Sequence, residues 1–254
     1  MVTPTLIAKG YKLRNKKNTR KKNKVIDATN EINPQGAAYR NRLKPRTNNQ
    51  KEYIRTAAEN VITFCQGVAG SGKTHIAIGM ALEYLLDEKI SKIVITRPVV
   101  ESGEKIGYLP GTAEEKIHPY LLPLLDEVNH FISAAHYAGL KSNNKIEIVP
   151  LGLMRGRNFH NSFIVADECQ NASYEQLKML LTRIGNNSKM ILTGDVSQSD
   201  LHRHVQGGFY NMINALEGIE GIGISRLDNS DIIRNPIIGK IIGRLDSYEN
   251  EGKK

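Results

Sequence analysis

Residues 67–74 read Gly67-Val68-Ala69-Gly70-Ser71-Gly72-Lys73-Thr74 and fit the pattern G-x-x-x-x-G-K-[ST] of a phosphate-binding loop. The apolar run Val61–Gln66 before it is typical of a short buried strand, and an apolar helical pattern follows from about residue 73 to 88. Glycines let the backbone close around a phosphate, and the helix N-terminus adds partial positive charge. We therefore predict that the whole loop binds a nucleotide, that Lys73 reaches the β- and γ-phosphates and that Thr74 ligates Mg²⁺.

A second apolar strand ends in two carboxylates. Residues Phe163–Ala166 are followed directly by Asp167 and Glu168. Asp167 is predicted to hold Mg²⁺ opposite Thr74, and Glu168 is predicted to orient or deprotonate an attacking water. The alternative interpretation is that the two acids only cap a following helix.

A third strand leads to a candidate γ-phosphate sensor. The strand Lys189–Thr193 is followed by Gly194-Asp195-Val196-Ser197-Gln198. A glutamine amide donates a hydrogen bond to a phosphate and accepts one from a water, so Gln198 is predicted to sense the γ-phosphate. The alternative is an ordinary polar turn at the end of a strand.

Strand-like and helical segments alternate along the chain after residue 47. This alternation predicts an α/β fold with a doubly wound, mostly parallel sheet, whose ligand site lies at the carboxyl ends of the strands. The helical patterns lie at about 50–60, 73–88, 113–138, 173–184, 207–217 and 236–248, and the strand patterns at Val61–Gln66, Lys92–Thr96, Ile146–Val149, Ser162–Ala166, Lys189–Thr193 and Ile222–Ser225.

The positive charge of the chain is concentrated at its start. The net charge of the 254 residues is +9, but residues 1–46 hold 13 Lys or Arg against two acids. Residues 1–46 are predicted to be a disordered basic arm, and residues 47–254 a single folded domain. Such an arm binds nucleic acid through phosphates and without sequence specificity. The alternative is a solubility tail without a specific partner.

Composition excludes several other classes of protein. No apolar run is long enough to span a membrane, and no apolar segment of the secretory type follows the basic start. Cys65 and Cys169 both lie in apolar strand-like contexts, which predicts buried free thiols in a reducing, cytoplasmic protein. Histidines such as His75 and His130 form no recognisable pattern.

These motifs together resemble the PhoH family, whose members are similar to the first RecA-like lobe of superfamily 1 helicases. The resemblance extends from about Thr47 to Asp246 and implies a RecA-like P-loop ATPase that uses ATP and Mg²⁺; some relatives act on RNA. The residues that carry it are Gly67–Thr74, Thr96-Arg97-Pro98-Val99-Val100-Glu101-Ser102-Gly103-Glu104-Lys105-Ile106-Gly107-Tyr108-Leu109-Pro110-Gly111, Met154-Arg155-Gly156-Arg157, Asp167-Glu168-Cys169-Gln170-Asn171 and Thr193-Gly194-Asp195-Val196-Ser197-Gln198.

The resemblance also implies roles for residues outside the phosphate loop. Gln50 stands where this helicase group has an adenine-reading glutamine. The segment Asp231–Pro236 matches a late family motif, in which Asn235 replaces the more usual His and Arg234 is expected to face phosphate. A two-lobed helicase supplies a charge-stabilising arginine from its second lobe. This chain shows no second lobe, so the arginine is expected from a neighbouring subunit of a ring-like homo-oligomer, with Arg155, Arg157 and Arg234 as candidates.

The sequence therefore predicts an ATPase coupled to single-stranded RNA or DNA, as a translocase or a binding protein. The alternative is a nucleic-acid-binding or assembly protein that ATP switches without appreciable turnover. A small-molecule kinase shares the phosphate loop, but the sequence shows no acceptor-binding lid and the segment around Gln198 fits hydrolysis better.

Overall fold

The computed structural model describes residues 40–99, 113–196, 198, 207–232, 244 and 248, with backbone alone for 113–117. The predicted arm up to residue 39, residues 100–112 with most of the family motif 96–111, Arg234 and most of the helix predicted at 236–248 lie outside the described residues.

In this part of the chain, six strands and six α-helices follow one another much as predicted. The predicted helix 113–138 is in fact two helices, because the chain breaks after Phe131 and Ser133 caps a new helix by accepting a hydrogen bond from the N–H of His136. The elements are α1 (Asn48–Glu59), β1 (Ile62–Gly67), α2 (Lys73–Leu86), β2 (Lys92–Arg97), α3 (Ala113–Phe131), α4 (Ala134–Ser142), β3 (Ile146–Pro150), β4 (Ser162–Ala166), α5 (Tyr174–Leu181), β5 (Lys189–Gly194), α6 (Gly208–Leu216) and β6 (Ile222–Leu227).

The strands form one parallel sheet in the order β3-β2-β4-β5-β1-β6. The predicted doubly wound parallel sheet is therefore confirmed. Strand β5 lies between β1 and β4, and the register pairs Cys65 with Thr193 and Ala166 with Leu192. This register brings the residues that follow β1, β4 and β5 to the same edge of the sheet, where parallel sheets bind ligands.

Two apolar layers bury the sheet on both faces. Helices α1 to α4 cover one face, where Phe163 and Val165 are fully buried, and α5 and α6 cover the other, where Phe64 and Ile164 are fully buried. Both cysteines are free and buried, as predicted, and burial raises the pKa of the Cys65 thiol to about 12. None of the helices within the described ranges is long and apolar enough to cross a membrane.

The folded domain begins before the predicted boundary at residue 47. The backbone N–H of Arg40 donates to the carbonyl of Phe131 at 2.6 Å, and Leu43 packs against the apolar layer under α2 and α3. The N–H of Arg46 donates to Oε1 of Gln50 at 2.8 Å. Residues 40–46 therefore belong to the domain and run from the end of α3 to the start of α1.

A buried carboxylate anchors the start of α1 to the turn after β6. Asp231 is fully buried and accepts hydrogen bonds from the Thr47 hydroxyl, from Nδ2 of Asn49 at 3.0 Å and from the N–H of Asp228 at 2.9 Å. Burial raises the pKa of Asp231, but these three hydrogen bonds outweigh it and the net shift is downward. Thr47 in turn caps α1 by accepting from the N–H of Gln50 at 3.1 Å.

An ionic cluster closes the outer edge of the sheet at β3. Glu147 accepts two hydrogen bonds from the Arg157 guanidinium, both at 2.7 Å, and Lys92 lies 2.8 Å from the same carboxylate. The Arg157 guanidinium also stacks over the Phe159 ring at 4.8 Å. The Arg157 hydrogen bonds are the main cause that lowers the pKa of Glu147 from 4.5 to about 2.

This cluster predicts an acid-dependent loss of stability. Because the pKa of Glu147 is lowered by folding, its contribution is complete above pH 4.5 and disappears as the pH falls towards 2. We expect Glu147→Gln to lower the free energy of unfolding by about 1–2 kcal/mol at neutral pH, and by less at about pH 3.5. Urea unfolding at both pH values measures the difference.

Asp87→Asn is the matched control, because Asp87 and its partner Lys89 are both 57% exposed. We expect the control to leave the free energy of unfolding close to that of the wild type at both pH values, because water screens an exposed pair. A loss from Glu147→Gln that is the same at both pH values would contradict the assignment.

Candidate functional site

The loop after β1 has the backbone geometry of a phosphate cradle. Gly70 and Gly72 adopt φ values of 83° and 91°, which side chains other than glycine rarely allow. A Cβ atom at Gly72 would lie 3.0 Å from Nε2 of Gln50, so the glycine also permits the close approach of α1. Ser71 closes the loop by donating from its hydroxyl to the carbonyl of Val68 at 2.8 Å. The sequence from Gly67 to Thr74 therefore folds as the motif predicts.

Lys73 lies across the mouth of this loop. Its Nζ donates to the carbonyls of Gly67 at 2.6 Å and Val68 at 2.9 Å. Both acceptors are neutral backbone oxygens, so the ammonium charge has no carboxylate partner among these hydrogen bonds. A phosphate entering the loop would meet an ammonium group that is already in place.

The tips of three elements meet at one carboxylate oxygen. Oδ1 of Asp167, which follows β4, accepts from the hydroxyl of Thr74 at 2.6 Å and from the hydroxyl of Thr193 at 2.7 Å. Asp167 is 4% exposed. The predicted pair Thr74 and Asp167 is thus in direct contact, and Thr193 is an additional member from β5.

The donor set of this pair fits Mg²⁺. A hydroxyl and a carboxylate are hard oxygen ligands, and Mg²⁺ in nucleotide sites takes one or two such ligands together with phosphate and water oxygens. No cluster of three or more His, Cys, Asp or Glu that could hold a metal occurs among the residues searched, which are the described ones. The protein ligands here therefore suit a metal that arrives with a phosphate.

Glu168 is held in a conformation that few side chains adopt. Its φ is 54°, in the left-handed region, and such backbone strain concentrates at functional sites. Its carboxylate accepts a hydrogen bond from Nε2 of Gln170 and lies 3.7 Å from the guanidinium of Arg97 at the end of β2. The side chain is 37% exposed, so a water has access to the carboxylate.

Gln170 connects two of the strand tips, and sequence reasoning gave it no role. While its Nε2 donates to Glu168, its Oε1 accepts from the N–H of Asp195 at 3.0 Å. The buried amide therefore bridges the residues that follow β4 and β5. The sequence feature that could have indicated this role is the position of Gln170 in Asp167-Glu168-Cys169-Gln170, only two residues after the predicted base.

Gln50 is buried against the phosphate loop, with its amide orientation fixed. Its Nε2 donates to the carbonyl of Ser71 at 2.9 Å, and its Oε1 accepts from the N–H of Arg46. One amide proton and one oxygen lone pair remain for another partner. The amide proton and the lone pair are complementary to adenine, which offers one acceptor at N7 and one donor at N6.

A cavity of about 480 Å³ opens in front of the loop. Loop residues and Glu168 line one part of it, and the remaining lining residues form a wall in which sequence reasoning identified Gln50 alone. The wall combines three segments that are distant in the sequence, so no local motif marks it. Its residues are Lys44, Arg46, Gln50, His75, Glu127 and His130.

The remaining predicted residues lie elsewhere. Gln198 follows the tip of β5 with an exposed side chain, and its N–H donates to the carbonyl of Asp195 at 3.1 Å. Arg155 is exposed, and Arg157 is bound to Glu147 at the far edge of the sheet, outside the residues that line the cavity. Arg234 lies outside the described residues.

The chain is similar to known proteins over most of its length. The family model described as PhoH-like protein matches residues 42–246. The chain is 43% identical over 204 residues to a PhoH-like protein of Bacillus subtilis, covering 80% of this chain and 64% of that protein. It is 39% identical over 208 residues to a PhoH-like protein of Synechocystis, covering 82% and 63%. The chain thus spans less than two thirds of the length of these relatives.

A solved structure supports the fold at lower similarity. The large terminase of a thermophilic bacteriophage matches with a TM-score of 0.51 and 10% identity, covering 80% of this chain and 50% of the terminase. The fold is RecA-like, as the sequence predicted, and the loop makes the chain a P-loop protein of the nucleotide-binding type. On the match to its family model and to relatives of about 40% identity, the chain belongs to the PhoH family.

Proposed function

We propose that the protein binds ATP with Mg²⁺ in this cavity and hydrolyses the β–γ bond. The contact of Asp167 with both Thr74 and Thr193 carries the proposal, because it assembles a metal-binding pair beside the phosphate loop. Thr74 and Asp167 would hold Mg²⁺, which neutralises phosphate charge when bound. Lys73 stabilises negative charge on the β- and γ-phosphates, which grows as the bond breaks.

Glu168 is the proposed general base. It accepts a proton from the attacking water, whose oxygen forms a bond to the γ-phosphorus while the bond to the β–γ bridging oxygen breaks, giving ADP and phosphate. Gln198 is proposed to orient the water and the γ-phosphate, since it follows the neighbouring strand tip. Gln50 is proposed to recognise adenine with the amide proton and the oxygen lone pair that its hydrogen bonds to Ser71 and Arg46 do not use.

Turnover is proposed to depend on single-stranded nucleic acid. Two features support this coupling: the basic segment at the start of the chain, and the contact between Arg97 and Glu168. Arg97 ends β2, so a nucleic-acid phosphate that binds Arg97 would act directly on the proposed base. An assembly with an arginine supplied by a neighbouring subunit completes the proposal, and Arg155 and Arg234 are its main candidate donors.

The hydrolysis proposal predicts that loss of the base lowers ATP turnover without weakening ATP binding. Lys73→Ala is expected to lower ATP turnover at least about 100-fold, because it removes the cation on the transferred phosphate. Glu168→Gln is expected to lower kcat by about 10²–10⁴-fold with ATP affinity close to wild type, because only the base is lost. Phosphate release and fluorescent-nucleotide binding measure the two quantities.

Two results decide between the proposal and its rival. Wild-type protein that binds ATP but turns it over no faster than Glu168→Gln would favour a nucleotide-switched binding protein. Wild-type protein that binds no nucleotide in the presence of Mg²⁺ would contradict both.

The nucleic-acid proposal predicts salt-sensitive stimulation. Single-stranded RNA or DNA is expected to raise the ATPase rate, with an affinity that falls about 10³–10⁵-fold between 50 and 200 mM salt if 6–10 phosphates are contacted. Replacing the nine Lys and Arg between residues 9 and 24 by Gln removes this charge without shortening the chain. Unchanged affinity in that variant would show that the basic segment is not the binding element.

The assembly proposal predicts complementation between inactive variants. Arg234→Ala is expected to lower turnover by about 10³-fold if this residue acts in a neighbour's site. Mixing it with Lys73→Ala should restore part of the wild-type rate, because one variant keeps its phosphate loop and the other keeps the arginine. Arg155→Ala is tested in the same way, and a turnover rate per chain that does not change on dilution would argue against an assembly.

A further inference from the structure

The wall of the cavity contains a carboxylate that the proposed chemistry does not use. Glu127 lies on α3, with 36% of its side chain exposed, and its Oε2 lies 3.0 Å from Nδ1 of His75. The His75 ring packs against Phe131 at 4.6 Å and meets His130 at 5.0 Å. These contacts hold the imidazole, and with it one oxygen of the carboxylate, in a defined place.

The charge of Glu127 restricts which part of a nucleotide it faces. The residues that line the cavity include two acids, Glu127 and Glu168. Glu168 directly follows Asp167, where the proposed Mg²⁺ would balance negative charge. Glu127 lies on α3, in a different segment from that pair, and a carboxylate close to a phosphate would repel it. The compatible neighbour is a neutral group that donates hydrogen bonds.

The position of His75 places this carboxylate near the sugar. His75 directly follows Thr74, so it lies in the first turn of α2, beside the residues that hold the phosphates in the proposed function. Gln50 lines the same cavity, donates to the carbonyl of Ser71 and takes the base in the proposed function. The sugar then lies between them, and acidic side chains are known acceptors for ribose hydroxyls in nucleotide-binding folds.

We infer that Glu127, oriented by His75, accepts a hydrogen bond from the 2′- or 3′-hydroxyl of the ribose, so that the site discriminates against nucleoside triphosphates that lack this hydroxyl. The His75 imidazole donates to one carboxylate oxygen, and the other oxygen accepts from the sugar. This inference rests on the proposed nucleotide binding and adds the substrate class to it.

The test compares ATP, 2′-deoxy-ATP and 3′-deoxy-ATP, each with Mg²⁺, in binding assays on the full chain. Wild-type protein is expected to bind ATP roughly tenfold more tightly than the analogue that lacks the contacted hydroxyl. Glu127→Ala should weaken ATP binding by a similar factor and bind that analogue as well as ATP. Glu127→Gln keeps the shape and removes the charge, so it should retain only part of the preference.

Glu147→Gln is the matched control, because it alters a half-buried acid outside the cavity lining and should keep the wild-type preference. Thermal unfolding identifies a variant that fails to fold; if Glu127→Ala does so, Glu127→Gln carries the test.

Three results would overturn the inference. The first is wild-type protein that binds all three nucleotides equally. The second is a Glu127 variant that keeps the full preference or weakens all three nucleotides by the same factor, since that indicates a role in folding alone. The third, wild-type protein that binds none of them, would also overturn the proposed function, whereas the first two leave it standing.

Discussion

The site depends on one oxygen atom, Oδ1 of Asp167, which accepts hydrogen bonds from Thr74 and Thr193. These two contacts join the first turn of α2 to the ends of β4 and β5, so the phosphate loop has a fixed distance from both strand tips. A buried carboxylate is stable only when its oxygens are satisfied, and here the two hydroxyls satisfy one of them. A metal ion that replaced this contact would bind the same oxygen atoms that now stabilise the fold through hydrogen bonds.

A second series of hydrogen bonds supports the loop from outside. Asp231 anchors the cap of α1 through Thr47, and Gln50 on the same helix donates to the carbonyl of Ser71 inside the loop. The late family motif, of which Asp231 is the first residue, is therefore connected to the phosphate loop by consecutive contacts. A change in that motif has a physical route to the phosphate loop through these consecutive hydrogen bonds.

Local patterns predicted the fold, and they predicted which residues meet at the carboxyl edge of the sheet. The loop 67–74 and the pair Asp167 and Glu168 are contiguous motifs at strand ends, and a parallel sheet necessarily gathers such ends at one edge. Apart from Gln50, the wall escaped prediction because Lys44 was assigned to the basic arm and Glu127 lies on an ordinary amphipathic helix. The segment Arg155-Gly156-Arg157 suits phosphate recognition and a surface salt bridge equally well, and only the tertiary structure shows that Arg157 pairs with Glu147.

The sequence was sufficient to specify the phosphate loop, the order of strands and helices and the identity of the two acids, because these follow from short-range spacing and hydrophobic periodicity. Tertiary packing was needed to bring α1, α3 and residues 40–46 around the loop. Contacts between segments that are distant in the sequence produce no periodic pattern in it. The left-handed backbone of Glu168 also belongs to this second class. No feature of the Asp-Glu pair itself requires this conformation, and in the fold Glu168 accepts a hydrogen bond from Gln170, which bridges to the tip of β5.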